Sequence, residues 1–247
     1  MPSRVQPARV HSRSMRTQNL TRSLLAGFAL VVSTVAFAAQ PTPFTAVYQV
    51  SRQGEAMGQA TITLKSVGNG EYEYSNQIKG TSGLAAMLGL NSNDITRFRW
   101  NNNAPETETY TSKVSAFKTK QRTMQVNWSS KEVRVDEGKG PTTYAAAPGM
   151  VDRNTLPYAL GLALHGGSQS VTLPVGVKQR VEQQQFKVQG SEAVKVPAGS
   201  FQAERVTRTD SDKHFDAWYA KPYPLPVKMA QSEGGDIELQ LVRFSSP

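Results

Sequence analysis

From Phe44 to the C-terminus the chain repeats one pattern, apolar and polar residues alternating with period two, and this restricts it to strands that bury one face. Phe44, Ala46, Tyr48 and Val50 share a parity. Ile62 and Leu64 resume it against Thr61, Thr63 and Lys65, and Tyr72, Tyr74 and Ile78 continue it. Met124, Val126 and Trp128 alternate with Gln125 and Asn127, and Ile237, Leu239 and Leu241 carry the pattern towards the end. Turn signals divide the run at Gly54 to Gly58, Gly68-Asn69-Gly70, Pro105 and Ser129-Ser130. The clearest unit is the hairpin Val194 to Arg208. Val194 and Val196 share a face, Pro197-Ala198-Gly199 supplies a fixed φ and then a residue free to take φ > 0, and Phe201 and Ala203 resume the alternation. Val206 falls on the opposite parity, so a β-bulge is expected at Glu204-Arg205.

Two segments break the period. In Ser82 to Leu90, Ser82 is placed to cap a helix, Leu84, Met87 and Leu88 stand at helical spacing, and Gly89 stops it after one or two turns. In Thr155 to Leu164, Leu156, Leu160 and Leu164 recur four apart, Pro157 sits in the first turn, and Gly166-Gly167 ends the helix. The second helix has almost no polar face, so it is expected to plug or cover an end of the sheet. The fold class is therefore mainly β: a single large curled antiparallel sheet, roll or barrel-like, of about a dozen strands with two short apolar helices. No repeat and no linker-like run divides residues 39–247, which read as one domain.

The first 38 residues contain five arginines and no acid, followed by an apolar run from Leu24 to Val35 that ends in Ala36-Phe37-Ala38. This is the pattern of a secretory signal peptide cleaved before Ala39, too short for a spanning helix. Met15 already opens a sufficient basic region and is an alternative start. Removing five arginines leaves 23 basic against 19 acidic residues, so the net charge falls from +9 to +4. That charge is dispersed, which argues against a nucleic-acid surface. The chain has no cysteine, which excludes disulfides, thiolate nucleophiles, iron–sulfur clusters, cysteine zinc sites and a lipoprotein anchor. A periplasmic location is expected, with no transmembrane segment in the mature protein and the oligomeric state left open.

Several segments resemble the domain-of-unknown-function family 3108: Val196 to Phe201 (VPAGSF), Trp218 on a strand that leads to Leu225 to Lys228 (LPVK), and Asp152 to Thr155 ahead of the apolar helix. The resemblance runs from Phe44 to Phe244. It implies an exported envelope protein with a β-rich roll or barrel, and it carries no established activity. The proline-rich stretch Ala220 to Pro224 departs from the family pattern.

No phosphate-binding loop, H-E-x-x-H, dinucleotide fingerprint, calcium loop or G-x-S-x-G elbow is present. His214 and Asp216, two apart on a strand, point the same way and could pair as base and orienter or as metal ligands; a solvated pair explains them equally simply. His165 stands where a helix C-terminal dipole would favour its charged form. Leu84, Met87, Leu88 and Leu90 are either core or an apolar lid over a pocket, and Met suits contact with variable acyl chains. Asp152 and Thr155 are either helix caps or polar contacts at a cavity mouth, and Trp218 belongs to an aromatic set large enough to line a cavity or to fill one. The expected function is non-enzymatic and without cofactor: binding of a lipid or other apolar or amphipathic envelope ligand through those seven residues, or assistance to envelope assembly. The alternatives are a periplasmic hydrolase or isomerase centred on His214 and a structural interaction module.

Overall fold

The period-two alternation forms fifteen strands laddered into one sheet in a computed structural model that describes residues 40–233 and 235–247. The leader, the Ala39 boundary and the Met15 start lie outside the described residues. Eight strands come first: β1 (Phe44–Arg52), β2 (Glu55–Gly68), β3 (Glu71–Gly80), β4 (Asn91–Asn101), β5 (Ala104–Ser115), β6 (Thr119–Asn127), β7 (Glu132–Asp136) and β8 (Pro141–Ala145). Helix α1 (Gly83–Met87) interrupts them between β3 and β4. The short β9 (Val151–Asp152) and helix α2 (Leu156–His165) follow. Then come β10 (Ser170–Gly176), β11 (Val181–Val196), β12 (Gly199–Arg208), β13 (Phe215–Tyr219), β14 (Pro226–Gln231) and β15 (Ile237–Ser245).

The sheet runs from β8 down to β1, crosses to β15, and continues down to β9. The first and last strands thus meet in mid-sheet, Tyr48 opposite Leu241 and Val50 opposite Leu239, while β8 and β9 form the two edges. The curl brings those edges together without a ladder. The Tyr144 hydroxyl of β8 donates to the Val177 carbonyl at 2.5 Å, and the Thr107 N–H of β5 donates to the Met150 carbonyl at 3.0 Å.

The sequence reading and the structure differ at the two sheet edges, at one turn and at one bulge. β8 and β9 are too brief to show a period, and β9 pairs with β10 in parallel, so the sheet is not antiparallel throughout. Pro105 does not divide strands. It is the second residue of β5, opposite Trp100, and the turn before it is Asn102-Asn103, both with positive φ. The bulge that shifts the parity of Val206 lies across the ladder: Val188 pairs with Val206 and Gly190 with Arg205, leaving the extra residue at Gln189 of β11.

The Pro197-Ala198 turn is as expected, closing Val196 onto Gly199, whose φ is +137°. The hairpin tip is anchored by the Ala198 N–H on the Leu241 carbonyl at 2.8 Å. Gly199→Val should therefore cost about 1 to 3 kcal/mol through backbone strain alone. A melting temperature equal to wild type would refute a strained turn.

Helix α2 buries Leu156, Tyr158, Ala159, Leu160, Gly161 and Leu164, as an apolar helix must. Leu160 and Leu164 pack with Val175, Phe186, Val206 and Tyr219 on one side. Tyr158 enters an aromatic cluster on the other, 5.8 Å from Phe44 and 5.9 Å from Tyr74 between ring centres. The helix is thus an internal plug held by both halves of the sheet. Among the described residues no helix is long and apolar enough to cross a membrane.

Candidate functional site

Side chains do not fill the interior above α2. A cavity of about 1260 Å³ remains, with Leu156 and Pro157 at the start of α2 among its lining residues. Its exposed lining residues, Lys120, Lys139, Lys178, Lys213 and Glu233, come from the strand ends and turns at one end of the sheet, which places the mouth there. Tyr48, Val50, Ile62, Leu225, Met229 and Leu239 line it from β1, β2 and the β14–β15 side. That wall is apolar because these strands keep strict alternation.

The opposite wall breaks the rule. Asn76 of β3 pairs with Asp94 of β4, Asp94 with Ser112 of β5, and Ser112 with Arg122 of β6. Paired residues share a face, so the four form one polar row across the cavity wall. Arg122 is neutralised by Glu137, to which its Nε donates at 2.6 Å. Glu137 also receives Lys178 at 2.5 Å.

Asp94 is held above the usual carboxylate range, first by desolvation and secondarily by the neighbouring Asp152 charge, with Ser112 and Arg122 partly offsetting both. A raised folded-state value means the folded protein holds this proton after the unfolded chain has released it, so Asp94 costs stability as pH rises through that window. Asp94→Asn is therefore expected to stabilise the protein at neutral pH and to lose that advantage below about pH 4, where both forms are neutral. Denaturant midpoints measured across pH check it, and a pH-independent difference would contradict the assignment.

Asp152 lies away from the cavity lining and is fully buried. Its Oδ1 accepts the Thr96 hydroxyl at 3.0 Å and the Asn154 N–H at 2.8 Å, and its Oδ2 accepts the Thr107 hydroxyl at 2.8 Å. The Thr155 N–H and hydroxyl also donate to it, each at 3.2 Å. It thereby braces the turn ahead of α2, whose N-cap residue Thr155 makes no side-chain capping bond, and ties the helix entry to β4 and β5. The reading of Asp152 and Thr155 as contacts at a cavity mouth is corrected: the partners that complete their hydrogen bonds come from three separate segments, which no local pattern displays.

The other expected ligand residues are also absent from the cavity lining. Leu84, Met87 and Leu88 are exposed, Met87 at 76%, so α1 is not core. It sits on the mouth-end rim, where the Ser82 hydroxyl donates to the Ala56 carbonyl at 2.7 Å instead of capping the helix. The Thr81 N–H reaches the carbonyl of Met57, and Met57 does line the cavity; Leu90 is half-buried behind α1. Trp218 points away from the inward Ala217, pairs with Arg205 and Lys228, and donates its indole N–H to Glu192. Lys228 lies 5.2 Å over its ring.

His214 and Asp216 do come together, with Nε2 3.6 Å from Oδ2, and His214 lies at the cavity mouth, 56% exposed. Asp216 is buried and already accepts the Thr207 hydroxyl. Among the described residues no cluster of three His, Cys, Asp or Glu side chains could hold a metal. His165 does not gain charge from the helix dipole. Burial and the nearby Lys221 push its proton affinity down, and its Nε2 has no partner.

The residues that sequence reasoning missed, Asn76, Asp94 and Asn154, carry one readable signal. Asn76 and Asp94 are polar at parities shared with Tyr74 and Phe98. No curated protein matches the chain. Among solved structures, the β-barrel-like protein of domain of unknown function DUF1849 from Brucella abortus is similar in fold, with a TM-score of 0.50 at 10% identity, covering 85% of this chain and 99% of that one. The model of the DUF3108 family, described as a protein of unknown function, matches residues 47–242, and with the curled sheet and its resemblances in place the chain belongs to that family.

Proposed function

We propose that this protein is a non-enzymatic binder of an amphipathic molecule in the bacterial envelope, holding the ligand's apolar part inside the curled sheet. The observation that carries the reading is the cavity of about 1260 Å³ with one apolar and one polar wall. Ligand sites commonly occupy about 300 to 1,000 Å³ and join apolar lining to a few placed polar groups. Export through the N-terminal leader would deliver the protein to a compartment rich in such ligands.

The direct test is titration of the purified protein with N-phenyl-1-naphthylamine, a neutral dye that brightens in apolar surroundings. Saturable enhancement is expected, and its absence in well-folded protein would refute the reading in favour of a structural interaction module. Helix α1 serves in this reading as an apolar lip at the rim, bounded by Gly83 and Gly89, both with positive φ. Met87→Asp is expected to weaken dye uptake severalfold while changing stability by less than about 0.5 kcal/mol, since Met87 is solvent-facing. A variant that unfolds would place Met87 in the core, and unchanged uptake would remove α1 from the site.

A further inference from the structure

The polar wall contains a set of buried groups whose hydrogen bonds are unmade. Tyr74 Oη, Asn76 Oδ1, Asp94 Oδ1 and Asn154 Oδ1 all belong to residues lining the cavity, are inaccessible, and have no partner. Two of these residues, Tyr74 at 1% and Asn154 at 7% exposure, are almost wholly buried. Folded proteins pair nearly all such atoms, because an unpaired one forfeits its hydration with nothing in return. Asn93, Trp100 and His165 also carry an unpaired buried atom, but these four are the ones whose residues line the cavity, where a bound molecule can supply the missing bonds.

The orientation of Asn154 is determined by its neighbours. The Thr96 hydroxyl donates to Asp152 at 3.0 Å, so it can only accept from Asn154, whose Nδ2 lies 3.1 Å away. The same Nδ2 also reaches the Tyr74 carbonyl at 3.3 Å. The amide nitrogen therefore faces the protein, and the Oδ1 of this cavity-lining residue is left without a donor. Asn76 and Asp94 stand directly opposite each other on β3 and β4, and Tyr74 lies two residues along from Asn76, within about 7 to 8 Å. The patch thus presents three acceptor oxygens and one hydroxyl able to donate or accept.

Charge selects among head groups. An anionic head would meet three acceptor oxygens, one of them a carboxyl. A cationic ammonium head would meet Lys120 beyond the neutralised Arg122–Glu137 pair, and having only donors it could accept nothing from the Tyr74 hydroxyl. A neutral group carrying several hydroxyls donates to the acceptors and accepts from Tyr74, and it suits both neighbours. We propose that the row Tyr74, Asn76, Asp94 and Asn154 is a recognition site for the neutral polyol head of an acyl-chain amphiphile. This deepens the amphiphile-binding function and rests on it.

The test uses four ten-carbon ligands that displace N-phenyl-1-naphthylamine: 1-monodecanoylglycerol, methyl decanoate, decanoate and decylamine. The proposal expects 1-monodecanoylglycerol to bind at least about tenfold more tightly than methyl decanoate, which shares the chain and lacks donors. Tyr74→Phe should shrink that ratio about threefold or more without lowering the melting temperature, because it deletes a hydroxyl that has no partner in the free protein. Should Tyr74→Phe fail to fold, Asn76→Leu reads the same ratio. Equal affinity for the glycerol ester and the methyl ester, or tightest binding of decanoate or decylamine, overturns the proposal while leaving the amphiphile-binding function intact. Failure of the dye itself to bind overturns both.

Discussion

Gly161→Ala is expected to destabilise the protein by about 3 kcal/mol or more, against the sign that helix propensity assigns to the same change. In an exposed helix interior, alanine is favoured over glycine by roughly 1 kcal/mol. Gly161 is not exposed. A Cβ there would stand 2.1 Å from the Pro224 carbonyl oxygen and 3.0 Å from the Tyr219 ring. The oxygen is backbone, and it belongs to the Ala220 to Pro224 segment, which holds the buried Ala220 and leads into the buried Leu225. Neither partner can swing aside as a flexible side chain would, so α2 must withdraw, uncovering Leu160 and Tyr158 from the clusters they join. Denaturant unfolding reads the effect. A stabilised Gly161→Ala would show that α2 is not seated against that segment. This contact also gives the proline-rich departure of Ala220 to Pro224 a structural role, as the abutment for the plug.

Asp152→Ala is expected to cost about 3 to 5 kcal/mol. The substitution strands the hydroxyls of Thr96, Thr107 and Thr155 and the N–H groups of Asn154 and Thr155 in a region where Asp152, Thr96, Thr107 and Thr155 are all essentially without solvent contact. Burial raises the proton affinity of Asp152, so part of the carboxylate's value is spent on its own desolvation. The larger loss comes from the five donors it leaves unpaired. Because the carboxylate joins α2 to β4 and β5, the variant should also loosen the cavity floor. Urea unfolding with an unchanged m-value and a lower midpoint is the expected record, and a loss below about 1 kcal/mol would mean that water replaces the carboxylate.

The period-two alternation was sufficient to place most strands, because the strands of this sheet bury one face and a residue's parity then decides its side. It made Phe44, Ala46, Tyr48, Val50, Ile62 and Leu64 recognisable as core, and all are buried. The apolar character of α2 likewise foretold a plug, since no polar face was available for water. The β8 and β9 edges, the parallel β9–β10 pair and the Asn102-Asn103 turn escaped notice because each is a few residues long, with too little pattern to express a period.

The site was less legible. Leu84, Met87 and Leu88 stood out as an apolar helix, yet their exposure depends on α1 lying on the rim instead of inside, which helical spacing does not encode. Asp152 stood out as a cap, but its carboxylate bonds the N–H groups of Asn154 and Thr155 ahead of α2 instead of the helix's own first turn, and its bonds to Thr96 and Thr107 cross 56 and 45 residues of chain. Sequence alone thus determined which residues face inward along the longer strands, because that is a local consequence of backbone geometry. Only the tertiary structure decided that the inward space stays partly empty and that Tyr74, Asn76, Asp94 and Asn154 meet in one patch, because curl, register and helix docking bring together residues that share no local period.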